Sequence, residues 1–340
     1  MSNNLKQSFS ENHQVSLFTD YLLSLLDGRR GFSHTWKARS GKNKTGFKKG
    51  FLWRCDSLTD AYEQYRWPAL SPTGNLTFTL EESNRILNYH EASIVKTLEK
   101  ADTSQDDIHL LKEDILGVLR WGGVDTKPNI AKAMRADSAQ LKVNLNNAVE
   151  LINHGGSMSE AEFDARYEQL DENHIRIDSG TTKIYSLICR DFIILDSRVG
   201  AALGLLVKNF CHDHDIPTET VCNDLRFSWG AASGEKRTYK IRNPNSTSSA
   251  VFQNFGRLTN KERLLQNLKA SWLLSDVISK TKIPSFSSAH TAGGLRRLEA
   301  ALFMIGYDVN YVNRQKQLDR NRRHHVRDIM PSAAMAFAPD

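Results

Sequence analysis

None of the four cysteines, Cys55, Cys189, Cys211 and Cys222, stands in a CxxC pair. That excludes a disulfide scaffold and a dithiol redox motif, and the expectation is a reduced, cytoplasmic protein. No secretory leader and no apolar run of transmembrane length is present, so no membrane partner is expected. P-loop, GxSxG and HExxH patterns are absent, as is any internal repeat, which argues against nucleotide hydrolysis, serine hydrolysis and zinc proteolysis. The best metal candidate is Cys211-His212-Asp213-His214 with Cys222 beyond it. No second ligand pair at finger spacing accompanies it, and an exposed turn before Ile216 and Pro217 is the plainer account. No metal or cofactor is expected.

Acidic residues are missing altogether from residues 28–55, which hold nine Lys or Arg. Against a formal net charge of +6 and a pI near 9.0 for all 340 residues, this is the sharpest charge asymmetry in the chain. Phe32, Trp36, Phe47, Phe51 and Trp53 interleave the cations, and glycines at 28, 31, 41, 46 and 50 make the segment read as a loop. Cations neutralise phosphates and exposed rings stack on bases, so the composition suits DNA or RNA, with Arg39, Lys42, Lys44, Lys48 and Lys49 as contacts. The competing account docks the rings into the core. Residues 313–327, with six Lys or Arg against one Asp, read as a second phosphate-contacting element.

A hydrophobic content of 40% suffices for a real core in one large domain or two. Apolar periodicity predicts helices over residues 15–26, 80–101, 104–120, 129–134, 138–152, 159–170, 260–279 and 289–307, with 219–227 a further candidate and 1–13 frayed. The fold class is therefore mostly α. The division it suggests is an N-terminal helix and basic aromatic segment (1–75), a helical body (76–312) and a basic tail (313–340). In residues 229–254, rich in Gly, Ser and Asn, a loop is expected.

The most informative stretch is 175–209. A turn at Asp178-Ser179-Gly180 precedes a short helical run over 181–189; the apolar run Phe192-Ile193-Ile194-Leu195 then ends on Asp196, which starts a second helix. Lys183 falls in a first helical turn, where unpaired N–H groups disfavour an ammonium and favour the nucleophilic amine. Asp196 is a natural N-cap that stays ionised. An amine able to attack a sugar carbon and a carboxylate able to stabilise a developing cation are what cleavage of an N-glycosidic bond requires. The plainer alternative is a solvated lysine and a simple cap.

Gly180-Thr181-Thr182-Lys183 before an apolar helix, and Phe192-Ile193-Ile194-Leu195-Asp196 capping another, resemble the helix-hairpin-helix DNA glycosylases, particularly the 8-oxoguanine type. The resemblance covers about a tenth of the chain. It implies a helix-hairpin-helix glycosylase-like helical fold with basic loop elaborations, in which Lys183 attacks C1′ and Asp196 assists. The backbone of Ser179, Gly180, Thr181 and Thr182 would hold phosphate. Trp121, followed by two glycines, can present its ring at the lip of a base pocket, although a tryptophan more often fills a core; Tyr185 and Trp229 are further pocket candidates. The expected function is flipping and excision of a modified base from double-stranded DNA, through a lysine Schiff base with the sugar, in repair or in defence against modified phage DNA. The rivals are a DNA- or RNA-binding protein without chemistry, and a glycosylase in which Asp196 activates water.

Overall fold

The computed structural model describes residues 3–39, 41, 45–71, 74–124, 138–174, 176–232, 241–245, 250–286 and 291–312. Helices α1 (Leu5–Glu11) and α2 (His13–Leu26) lead to strands β1 (His34–Lys37) and β2 (Leu52–Cys55), helix α3 (Leu58–Glu63), and strands β3 (Ala69–Leu70) and β4 (Leu76–Thr77). Helices α4 (Leu80–Glu99), α5 (Gln105–Trp121), α6 (Ser138–His154), α7 (Glu160–His174), α8 (Thr181–Ile188), α9 (Ser197–Asp213), α10 (Asn260–Lys280) and α11 (Thr291–Ile305) follow. The architecture is mostly helical, as the periodicity predicts.

Four of these helices begin with reciprocal capping boxes, Thr79 with Glu82, Ser104 with Asp107, Ser159 with Glu162 and Thr259 with Glu262. In each, a hydroxyl accepts the third amide of the helix while the acid reaches back to the cap amide, so two orphan donors are satisfied locally. That chemistry is local, and the starts of α4, α5 and α10 fall within a residue or so of their predicted places.

Apolar side chains gather in two cores. One joins α1–α3 and the β1–β2 hairpin to α9, the second half of α10, and α11; the other is built from α4–α8. Helix α10 bridges them, giving Leu264 and Leu268 to the second core and Leu273, Leu274 and Val277 to the first. The N-terminal residues are thus continuous with the C-terminal helices: Phe18 packs on Phe210 at 5.4 Å between ring centroids, and Trp36 stacks on Tyr307 at 4.5 Å.

Several expectations are corrected. Part of residues 28–55 forms an antiparallel pair, with Trp36 opposite Trp53, and Phe32, Trp36, Phe47 and Trp53 are buried, leaving only Phe51 of the five rings exposed. Each ring hides roughly 150–250 Å² at about 25 cal/mol per Å², which outweighs leaving it in water to await a base. Residues 5–11 are helical instead of frayed, because Asn4 caps α1 and Phe9 buries itself against Trp272. Residues 219–227 hold two 3₁₀ turns, Thr218–Thr220 and Asn223–Leu225, in place of a helix. There Gln14 takes the Cys222 amide, and the Arg226 guanidinium takes the carbonyls of Glu219 and Val221, groups a helix would need. The expected helix at 129–134 and the basic tail at 313–327 lie outside the described residues.

Helix α9 is approached closely through its glycines. A Cβ at Gly200 would lie 1.9 Å from the Ser228 carbonyl oxygen, and one at Gly204 would lie 2.7 Å from Pro244. The loop on either side of residues 233–240 therefore packs directly on the helix backbone.

Candidate active site

Helix α8 starts from a turn organised by Asp178, whose Oδ1 accepts the amides of Gly180 (2.9 Å) and Thr181 (3.0 Å). Its carbonyl oxygen takes the amide of Thr182. Two residues into the helix, the Lys183 side chain turns back to donate from Nζ to the Ser179 carbonyl oxygen at 2.6 Å, and the residue is only 5% exposed. Its methylene stem runs across Gly122, where a Cβ would lie 2.4 Å from both Cδ and Cε. The glycine after Trp121 is what leaves room for the lysine.

Asp196 caps α9, Oδ1 accepting the amides of Arg198 (2.8 Å) and Val199 (3.1 Å). Its other oxygen lies 3.5 Å from Nη1 of Arg198. The extended run before it is pinned at two amides: Ile193 donates to Ser271 Oγ and Ile194 to Glu299 Oε2 at 2.7 Å. Arg198 is held under three rings, with its guanidinium carbon 5.0 Å from the Trp67 centroid, 4.5 Å from Phe303 and 4.6 Å from Tyr307. Glu299 also accepts from Arg296 at 3.0 Å.

Lys183, Asp196, Arg198, Arg296 and Glu299 meet at one narrow cavity of about 30 Å³, walled by Tyr65, Trp67, Trp121 and Phe303. It lies where the two cores meet, with the lysine from the second and the carboxylate from the first. Burial lowers the Lys183 pKa below its ordinary value, aided by the positive charge of Arg198 and opposed by Asp196, Glu299 and Asp178. Burial pushes Asp196 up, yet Arg198, Lys183, the Val199 amide and Arg242 outweigh it and hold the carboxyl below its ordinary value. Glu299 is raised, chiefly by burial. The arrangement sets a fixed anion beside an amine whose charged form is penalised, in an aromatic-walled pocket.

Of the predicted pocket residues, Trp121 lines this cavity and its carbonyl accepts from Trp67 Nε1 at 2.6 Å. Tyr185 and Trp229 do not. Tyr185 is buried within the second core, and Trp229 is buried in the first with Nε1 donating to the Phe252 carbonyl. A ring beside polar residues reads alike whether it lines a site or fills a core.

The hairpin also departs from its expected role as a phosphate cradle. The amides of Gly180 and Thr181 are taken by Asp178, and Thr182 is buried at 2% exposure, leaving Ser179 as the exposed member. Arg39, Lys48 and Lys49 are exposed on and beside the β1–β2 pair, while Lys42 and Lys44 lie outside the described residues. Trp36 connects this pair to the site by stacking on Tyr307, whose ring flanks Arg198. Cys211 is buried in α9, and among the described residues no group of His, Cys, Asp and Glu is arranged to hold a metal ion. No described helix is long and apolar enough to cross a membrane.

Trp67, Arg198, Arg296, Glu299 and Phe303 join the site without standing in the motif around Lys183 and Asp196. Arg198 alone carried a usable signal, a cation two residues after a capping carboxylate. The others reach the cavity from distant segments. No protein-family model, no curated protein and no solved structure matches this chain.

Proposed function

We propose that this protein is a DNA glycosylase that takes a modified base out of the duplex and breaks its N-glycosidic bond, with Lys183 as nucleophile and Asp196 as the stabilising carboxylate. The observation that carries the reading is the meeting of Lys183 and Asp196, from two helix starts and two cores, at one aromatic-walled cavity in which the amine's pKa is lowered. Extrusion of the base is obligatory, because C1′ and the base edges are shielded in the stack. Trp67 and Trp121 line this cavity, which must widen to admit an extruded base.

The bond from C1′ to the base breaks with its electron pair leaving on the base, which takes up a proton. Asp196 stabilises the positive sugar as this happens. The Lys183 lone pair forms the new C1′–N bond, and loss of the amine proton with opening of the ring gives an imine that water then hydrolyses. This is the chemistry the resemblance to helix-hairpin-helix glycosylases implies for the same two residues.

A duplex carrying an abasic site tests the amine without knowledge of the base. With sodium borohydride present, the protein should become covalently attached to that duplex, and Lys183→Gln should abolish the adduct while binding persists. Asp196→Asn keeps an oxygen to cap α9 but loses the charge, and should slow base release by about 10²–10³-fold. An adduct that survives Lys183→Gln places the nucleophile elsewhere.

One observation favours a binding protein without chemistry: the polar atoms of both residues already have partners within the protein, Lys183 on Ser179 and Asp196 on Arg198 and Val199. On that reading Asp196→Asn changes the melting temperature and nothing else, and no modified duplex yields abasic sites.

A further inference from the structure

The cavity does not end at Glu299. Asn84, Arg296 and Glu299 belong to its wall and also to the wall of a second, larger and more open space of about 930 Å³. This groove runs between α4, the end of α8 with residues 189–192, and the start of α11. Its α4 side is formed by positions 84, 88, 91, 92, 95, 96 and 99. Those spacings of three and four make one helical face, which on a packed helix would be apolar, yet here it carries Asn84, Asn88, Glu91 and Glu99. Opposite stand Ser186, Arg190 and Asp191, set among Leu187, Ile188 and Phe192.

Charge decides what such a groove can hold. Four carboxylates (Glu91, Glu99, Asp191, Glu299) face three cations (Lys96, Arg190, Arg296), so the lining has no net attraction for phosphate and makes a poor track for a DNA backbone. It offers many donors and acceptors at close range, with two primary amides among them. A hydroxyl is donor and acceptor at once, so a ligand with several neutral hydroxyls can satisfy amides, carboxylates and guanidinium together. The apolar lining between them, from Val95, Leu187, Ile188 and Phe192, can meet the C–H faces of such a ligand, whereas a wholly apolar group would leave the polar side chains without their water and without replacements.

We propose that the groove receives a neutral, hydroxyl-rich substituent about the size of one hexose, attached to the base held in the adjoining cavity and crossing at the rim of Asn84, Arg296 and Glu299. The assignment rests on the excision reading of the cavity and names its substrate class: bases enlarged by a sugar-like group.

The test uses three duplexes identical except at one cytosine, which is unmodified, 5-hydroxymethylated, or hydroxymethylated and hexosylated. Abasic sites are scored for each, and binding of each to the Lys183→Gln variant is followed by fluorescence anisotropy. The hexosylated duplex should be excised at least tenfold faster, and bound at least tenfold tighter, than its hydroxymethyl counterpart. Ala92 is exposed on the groove side of α4, and Ala92→Trp should lower that preference severalfold relative to borohydride trapping on an abasic duplex, which reads the Lys183 step alone. Equal binding and equal excision of the two modified duplexes would overturn the assignment, as would rejection of the hexosylated one. Tighter binding of the hexosylated duplex with no excision and no trapping would uphold the groove and sink the excision reading instead.

Discussion

Gly122 has backbone angles that any residue adopts, φ −75° and ψ −4°, so its importance is not conformational. It is spatial: the methyl group of Gly122→Ala would fall 2.4 Å from two carbons of Lys183. Those atoms belong to a side chain, so the clash is relieved by moving the lysine and not the fold. The variant should melt within about 4 °C of the parent, yet lose at least about tenfold in borohydride trapping, since small misplacements of a reacting group are costly. Parental trapping by Gly122→Ala would show that the amine's position is unimportant.

The ionisation of Lys183 gives a second test at this scale. Its ammonium is less favourable in the folded protein than in the unfolded chain, so between its lowered pKa and the ordinary 10.5 the folded state binds fewer protons. Stability from this group therefore rises with pH across that window and is constant above it. Trapping should rise through the lowered pKa and level off before pH 10.5; a midpoint at or above 10.5 would contradict a buried, activated amine. Asp196 is held below its ordinary value, so its charge is retained throughout that range and its contribution is lost only in acid, as pH falls through the lowered pKa. Lys183 and Asp196 were legible in the sequence because each marks a helix start. Glu299 was not, since a charged residue on an otherwise apolar helix reads as solvated until something is seen to cover it.

Among the elements, those with side-chain caps were the easiest to read. The hydroxyl and acid of each capping box lie three residues apart, so no tertiary information is needed to place α4, α5 or α10. The β1–β2 pair was hidden by its glycines and cations, and its reason for being a hairpin, the stacking of Trp36 on Tyr307, involves residues at the far end of the chain. Close helix packing was equally invisible. Gly200 looks like a weak point in α9, but the structure gives it the Ser228 carbonyl as a neighbour. Gly200→Ala should cost about 1–3 kcal/mol or more, because the obstructing atom is backbone, and thermal unfolding will show it as a lower midpoint. Gly31→Ala, with nothing within 4 Å of the added carbon, is the control and should stay within about 0.5 kcal/mol of the parent.

At the scale of the whole molecule, the basic balance was legible from composition, while the two-core arrangement that gives it a site was not. Arg39, Lys48 and Lys49 are exposed next to a hairpin whose Trp36 reaches the cavity wall through Tyr307. Replacing all three by Ser should flatten the slope of log K against log salt on duplex DNA by about 0.9 for each phosphate no longer neutralised. An unchanged slope would mean that this face points away from the nucleic acid.

The first core takes residues 9–65 from one end of the chain and 193–309 from the other, while the second comes almost entirely from the stretch between them. During synthesis the elements of the second core emerge together, whereas those of the first wait for partners made last. Lys183 is therefore housed before Asp196 has the helix and rings that hold its surroundings in place. A half-made chain has the amine without the aligned carboxylate, and its earliest hydrophobic segment, α2, stays uncovered until α9 and α10 arrive. On the proposed chemistry the moment of completion is also the moment of arming.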